Sequence, residues 1–138
     1  MNIKAAWRRQ RGAETIEVAI ALPIVLIVIF SGLEYGWALI RSVQLDHAAR
    51  VGARAAALSG ATTADAEARA DQALRQIGID SAIVTVTPSD LTSLPAGSII
   101  KVEVEVPYSD VRLVGLGSLM PLPAKIKGHA SMIREPEE

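Results

Sequence analysis

The residues whose spacing indicates chemistry lie where a basic tail meets a long apolar run. Residues 11–18 read Arg-Gly-Ala-Glu-Thr-Ile-Glu-Val, so Glu17 follows Gly12 by five positions. A short basic tail placed directly before an apolar segment is typical of a targeting signal. The stretch therefore predicts a processing site fused to a membrane anchor.

The apolar run has the length of the hydrocarbon core of a bilayer. No side chain from Val18 to Leu33 is charged, and Glu34 follows Glu17 by seventeen positions. At about 1.5 Å per residue this spacing is about 25 Å of helix, close to one hydrocarbon thickness. The run predicts a transmembrane helix with a glutamate at each end.

Composition limits what the rest of the chain can be. Its 138 residues leave room for one domain besides the anchor, and the absence of cysteine excludes disulfides and cysteine-ligated metals. Four of the 14 basic residues precede Gly12, which leaves ten basic against 15 acidic residues after it. This balance disfavours a nucleic-acid partner, because no basic surface remains to neutralise phosphates.

The same charge distribution predicts the orientation in the membrane. Residues 1–12 form a basic leader that should stay in the cytoplasm, so the chain after about residue 40 is exported. A cleaved secretory signal peptide is the alternative. It is disfavoured because residues 29–34 offer a poor cleavage site and the alanine-rich stretch 53–57 lies too far downstream.

Gly12-Ala-Glu-Thr-Ile-Glu17 resembles the Gly-x-x-x-x-Glu processing motif of type IV prepilins. Other segments narrow this resemblance to the TadE-like pseudopilins, which are minor subunits of tight-adherence (Tad/Flp) pilus systems. The segments that carry it are Arg-Arg-Gln-Arg-Gly at 8–12, Leu22-Pro23, Glu34-Tyr35-Gly36, residues 46–54 and residues 128–134.

The resemblance implies that a prepilin peptidase cuts the chain between Gly12 and Ala13. It further implies a structural minor pilin of the bacterial inner membrane, single-pass, with an exported C-terminal domain, that takes part in assembling a Tad/Flp type IV pilus for surface adherence. Incorporation into the extracellular pilus is one outcome of that assembly. The implied partners are the peptidase, the major Flp pilin, other minor pseudopilins, the inner-membrane assembly platform and the lipid bilayer.

Cleavage at that position would give Glu17 a role in assembly. The new amino group of Ala13 is charged at neutral pH and lies one helical turn from the Glu17 carboxylate. The carboxylate can pair with its own amine or with that of a neighbouring subunit. The alternative is an ordinary acid at the membrane surface.

Several residues within the predicted span have a structural interpretation. Pro23 removes a backbone hydrogen bond, so we expect a kink or local melting there, with or without function. Gly32 and Gly36 share one helical face and would let a second helix approach closely. Tyr35 and Trp37 fit an outer aromatic belt.

Glu34, at the outer end of the span, is most simply a hydrated interfacial acid. The alternative is a pairing partner for an arginine of a neighbouring subunit.

The helix should continue well beyond the bilayer. Beyond the bilayer no helix breaker appears before Ser59-Gly60, and residues 41–58 are rich in Ala, Arg and Leu, which favour helix. One helix should therefore run from about Ala13 to Leu58. Asp46 and Arg50 are spaced as an i, i+4 ion pair. A stripe of small residues should receive the sheet of the exported domain or, alternatively, another subunit; it consists of Ala48, Gly52 and Ala56.

The remaining pattern predicts a small α+β domain. Thr62 and Asp65 have capping-box spacing and begin a second helix that ends near Gly78. Alternating residues then predict three antiparallel strands, at 83–87, 100–106 and 124–134, with a four-stranded sheet as the alternative. The apolar segment 113–122 lacks periodicity; it is a short helix, a loop over the sheet or a partner-contacting patch.

These observations define a pilin-like α+β chain with five parts. They are the leader 1–12, the transmembrane half of the long helix 13–40, its exported half 41–60, the globular domain 61–134 and an acidic tail 135–138.

No catalytic site, cofactor or metal site is predicted. His47 and His129 lack metal-ligand spacing, and no nucleophile motif is present. A structural pilin subunit is therefore favoured. An uncleaved, membrane-tethered extracytoplasmic binding module is the alternative, and a membrane-anchored enzyme comes last.

Overall fold

The computed structural model describes residues 3–115, 117 and 120–136, with side chains from residue 14 onward. In chain order the elements are α1 (Ile3–Ala57), α2 (Thr63–Gln76), β1 (Ile83–Thr87), β2 (Ile99–Pro107), α3 (Tyr108–Val111) and β3 (Lys125–Ile133). The predicted α+β fold is confirmed: a long apolar N-terminal helix leads to a second helix packed on a three-stranded antiparallel sheet.

Helix α1 begins earlier than the sequence predicts. It starts at Ile3 rather than at Ala13, and it ends at Ala57. The leader is rich in Ala and Arg, which favour helix, and a single residue such as Gly12 costs only about 1 kcal/mol inside one. The helix therefore continues through the leader and Gly12, and its 55 residues span about 80 Å. The chain then turns at Gly60, whose φ of 74° favours glycine.

Helix α2 has the predicted capping box. The Thr62 hydroxyl accepts the N–H of Asp65 at 3.2 Å, and the Asp65 carboxylate accepts the N–H of Thr62 at 3.0 Å. Hydrogen bonds from the Thr62 hydroxyl and N–H hold the pKa of Asp65 below its usual range. The buried face of the helix consists of Ala66, Ala70 and Leu74.

The three strands form an antiparallel meander in the order β1-β2-β3. Val84 of β1 lies opposite Val104 of β2, which in turn lies opposite Gly128 of β3. One face of β2 is fully buried and consists of Ile100, Val102, Val104 and Val106. The other face carries exposed ion pairs, which contribute little stability; they join Lys125 to Glu105, and Lys127 to both Glu103 and Glu105.

Small residues of α1 allow close packing against both α2 and the sheet. Ala48, Gly52 and Ala56 are all buried. A Cβ added at Gly52 would lie 3.1 Å from the carbonyl oxygen of Ala66 and 3.4 Å from Cγ1 of Val102. The stripe therefore faces α2 as well as β2.

Helix α1 approaches β3 even more closely at Gly128. A Cβ there would lie 2.3 Å from the carbonyl carbon of Leu45 and 2.4 Å from the backbone nitrogen of Asp46. The Asp46 carboxylate accepts the N–H of His129 at 2.9 Å. Among the described ion pairs none joins Asp46 to Arg50, so the predicted i, i+4 pair is wrong: the acid connects helix to strand instead.

The end of β3 closes onto the end of α1. Arg134 exchanges hydrogen bonds with the Ser98–Gly97 turn, at 2.9 and 3.0 Å. The N–H of Glu135 then donates to the carbonyl of Ala57 at 2.9 Å, which satisfies one free carbonyl at the helix C-terminus. The predicted acidic tail 135–138 starts with this bond, and its last two residues lie outside the described part.

Candidate membrane anchor and docking site

The part of α1 from residue 14 to residue 30 is not covered by the domain. Every side chain from Glu14 to Phe30 is exposed, and the large apolar side chains from Ile16 to Leu33 are 41% to 66% exposed. The described residues contain one helix long and apolar enough to cross a membrane, and its most apolar part is entirely unburied. The core helix of a soluble protein would bury such a surface. This arrangement suggests single-pass membrane anchoring.

The processing motif lies on α1, at the N-terminal end of this exposed part. Gly12 and Ala13 belong to the helix, but they lie outside the residues whose side chains are described. Glu17 is exposed. Because α1 begins at Ile3, Glu17 is not in the first turn of the uncut helix. Only cleavage after Gly12 would bring it to about one turn from the helix N-terminus, where the positive end of the helix dipole favours carboxylates.

The other predicted residues of the span are equally accessible. Helix α1 stays α-helical through Pro23, so the structure shows no local melting there, and the kink stays a prediction. Gly32 and Gly36 are exposed, and a Cβ added at either would meet no atom within 4 Å. Their face is therefore open to a second helix, and that contact also stays a prediction.

Glu34 is not the hydrated acid that the sequence predicts. Its side chain is fully buried, with 0% relative exposure. The carboxylate accepts the hydroxyl proton of Tyr108 and the N–H groups of Leu113, Val114 and Gly115, with N···O distances of 3.4, 2.7 and 3.4 Å. The donors come from α3 and the segment after it, so Glu34 docks this part of the domain onto the long helix.

Two residues close to Glu34 on α1 also bind the domain by hydrogen bonds. The hydroxyl of Tyr35 donates to the carbonyl of Pro121 at 2.9 Å, and Nε1 of Trp37 donates to the carbonyl of Val111 at 2.7 Å. The guanidinium of Arg41 lies 4.6 Å from the centroid of the Trp37 ring, within the range of a cation–π contact. The predicted aromatic belt residues are therefore also hydrogen-bond donors to the domain.

Tyr108 is adapted to its role as a donor. The residue is buried in the core cluster at the start of α3. Burial, and then the hydrogen bond to the Glu34 carboxylate, raise the pKa of Tyr108 to about 12. The hydroxyl therefore keeps its proton throughout the neutral range and remains available to the carboxylate.

The sequence did not indicate this docking site. The four donors to Glu34 lie 74 to 81 positions further along the chain. Three of them are backbone N–H groups, which leave no mark in the sequence. The one sequence feature that could indicate the docking site is Glu34 itself, since a carboxylate that follows an apolar run needs either water or several hydrogen-bond donors.

No cluster of potential metal ligands occurs among the described residues. His47 and His129 are both exposed, on α1 and on the outer face of β3 respectively.

The fold and the exposed apolar helix together define a class of protein. It is a single α+β domain whose first helix extends into an apolar segment long enough to anchor it in a membrane. Within this class, residues 12–54 match the family model described as TadE-like protein, which confirms the resemblance to the TadE-like family over that segment. The match covers the motif at Gly12, the apolar run and Glu34, and it ends before α2 and the sheet. This likeness suggests a protein associated with the Tad pilus. No curated protein and no solved structure matches the chain.

Proposed function

We propose that this chain is a minor pilin, or pseudopilin, which a prepilin peptidase cuts after Gly12 and which then takes part in assembling a Tad/Flp type IV pilus. The observation that carries the proposal is the position of the Gly12-to-Glu17 motif. The motif directly precedes the exposed apolar part of α1, and both lie within the segment that matches the TadE-like family.

Cleavage would change both the charge and the packing of this helix. Before it, the basic leader continues α1 and holds the N-terminus on the cytoplasmic side. After it, the helix begins at a charged amine that Glu17 can neutralise, within the chain or between subunits. The open face at Gly32 and Gly36 offers a neighbouring helix a close approach. The apolar helix can then move from the bilayer into a bundle with the major Flp pilin and other pseudopilins, at the assembly platform of the inner membrane.

The first test is the N-terminus of the membrane-extracted chain, expressed with and without a prepilin peptidase. We expect a peptidase-dependent N-terminus at Ala13 and its loss in Gly12→Val, because the branched side chain stands at the scissile bond. Gly32→Val is the matched control. It introduces the same side chain into open space on the same helix, so it should be cleaved like the parent. Intact mass and N-terminal sequencing measure both results.

Other N-termini would contradict this proposal in different ways. An N-terminus that stays at Met1 with active peptidase would favour the uncleaved, membrane-tethered extracytoplasmic binding module. An N-terminus beyond Phe30 would indicate an exported domain released from a signal peptide.

A second test separates processing from assembly. Glu17→Ala should still be cut after Gly12, but the cut chain should associate about 100-fold more weakly. This is the effect of leaving a charge without its partner in the apolar bundle, at about 3 kcal/mol. Glu14→Ala, which removes an exposed acid three positions earlier, is the control and should associate normally. Chemical crosslinking of the cut chain to the major pilin in the membrane measures the association. Equal crosslinking of the two variants would contradict the role of Glu17.

A further inference from the structure

The segment that docks on Glu34 presents apolar side chains beside the membrane-anchoring part of α1. Leu113 and Val114 are each 49% exposed, and Pro121 is exposed as well. Their backbones are held by Glu34 and Tyr35, the first residues after the bare apolar run. We call residues 112–115 and 120–122 the docked loop.

The direction of the Glu34 side chain places the docked loop near the lipid. Side chains of an α-helix lean toward its N-terminus, so the patch that a residue covers lies over the preceding turn. The carboxylate of Glu34 therefore lies over residues 30–33, at the outer end of the apolar run. Val114, whose N–H donates to it at 2.7 Å, lies at the same level.

Irregular backbone is tolerated at membrane depth only where protein satisfies its polar groups. The docked loop meets this condition on the side that faces the helix. Glu34, Tyr35 and Trp37 together bind five backbone groups, namely the N–H groups of Leu113, Val114 and Gly115 and the carbonyls of Val111 and Pro121. The polar backbone thus turns inward while apolar side chains turn outward.

We propose that the docked loop is a second membrane contact, which lies in the outer interface of the bilayer and rests against the same lipid as the apolar part of α1. This inference rests on the proposed membrane anchoring of α1. The lipid is favoured over a protein partner because the loop is bound at Glu34, the residue directly after Leu33, and the side chains of Leu33, Leu113 and Val114 are all about half exposed. Arg112, the exposed first residue of the loop, can reach the headgroups as interfacial basic residues do.

Two contacts would fix the domain in one orientation on the membrane. A helix alone leaves its domain free to tilt with the helix, whereas packing and interfacial anchors set tilt and rotation. Because the loop is bound to Glu34, its depth and the depth of the helix would be coupled.

The chain contains no cysteine, so single labelling sites can be introduced without background. We would place a spin label at Leu113→Cys or Val114→Cys in the full chain and reconstitute it in phosphatidylcholine vesicles. Collision with oxygen and with a water-soluble nickel chelate gives the depth of each label. Val25→Cys on α1 serves as the lipid reference, and Ser131→Cys on the outer face of β3 serves as the aqueous reference.

We expect the labels at 113 and 114 to be oxygen-accessible and shielded from nickel, at a depth of about 5–10 Å below the bilayer surface. If they match Ser131→Cys while Val25→Cys stays in lipid, the loop contact is wrong and the anchor stands. If Val25→Cys is also in water, the membrane anchor itself is wrong. Shielding from both reagents, with spin–spin broadening between chains, would overturn the lipid contact in favour of a second copy.

Discussion

Replacing Gly128 by alanine should destabilise the protein more than any other single methyl group added to the sheet. The new Cβ would lie 2.3 to 2.6 Å from backbone atoms of Leu45 and Asp46, and no side-chain rotation can relieve contacts with backbone. Helix α1 would have to move away from β3. The expected cost is about 3 kcal/mol or more, at the upper end of overpacking effects.

Thermal unfolding of the full chain in detergent micelles measures this cost. For a domain of about 100 residues, 3 kcal/mol corresponds to a fall of about 12 °C or more in Tm. The separation of α1 from β3 would also remove the hydrogen bond from the N–H of His129 to Asp46, so exchange of that amide with solvent should accelerate.

Ser131→Val is the matched control for this prediction. Ser131 is exposed on the outer face of β3, three positions after Gly128, and the larger valine side chain suits a strand. Its effect should stay within about 0.5 kcal/mol. Equal Tm values for Gly128→Ala and Ser131→Val would show that the helix does not pack against the strand as closely as described.

The parts of the fold that the sequence predicts correctly are those that local patterns determine. The capping box at Thr62 involves a residue three positions away, and the alternation in β2 follows from one face being buried. Both patterns can be read within a short window. The start of α1 could not be located in this way, because nothing local prevents the helix from continuing through Gly12 into the leader.

The environments of Asp46 and Glu34 show why sequence patterns miss tertiary contacts. Asp46 has ideal spacing for an ion pair with Arg50, yet its carboxylate binds the backbone of His129, 83 positions away. Glu34 follows an apolar run and so indicates a hydrated acid, yet backbone groups from a distant segment replace the water. In both cases the partner is a backbone N–H, which every residue except proline can supply.

Glu34→Ala should release the docked loop from α1 without unfolding the rest of the domain. The substitution leaves the hydroxyl of Tyr108 and three N–H groups without an acceptor in a buried place, and each such group costs about 1–3 kcal/mol. Opening of the loop costs less free energy than burying these unpaired groups, because in the open loop they form hydrogen bonds with water. We therefore expect local opening at a cost of about 3 kcal/mol.

Hydrogen exchange distinguishes this local opening from global unfolding. In Glu34→Ala the amides of residues 113–115 should exchange about 100-fold faster, the equivalent of about 3 kcal/mol. The amides of Ile100 and Val102 should be unaffected, since they lie at the end of β2 away from Tyr108 and their side chains are buried in the core cluster. The fluorescence of Trp37 should also change, because its Nε1 donates to the carbonyl of Val111, the residue directly before the docked loop.

Two further variants assign this effect to the carboxylate. Glu34→Gln keeps the size of the side chain, but its amide nitrogen brings donors to a site where every partner is already a donor, so it should open the loop in part. Tyr35→Phe removes one exposed hydrogen bond to the same loop and should cost about 0.5 kcal/mol or less. If Glu34→Ala exchanged no faster than Tyr35→Phe, the carboxylate would not be what holds the loop.

The two largest predicted effects separate two functions of the long helix. Gly128 allows the helix to serve as part of the domain core, and its loss should weaken the whole fold. Glu34 fixes the domain at one level of the helix, where the apolar run ends, and its loss should free the loop while the core persists. In the outer interface of the bilayer the freed N–H groups would find less water than in solution, so leaving them unpaired there is costly. The loop of Glu34→Ala should therefore leave the lipid, and a label at Leu113 should become accessible to nickel.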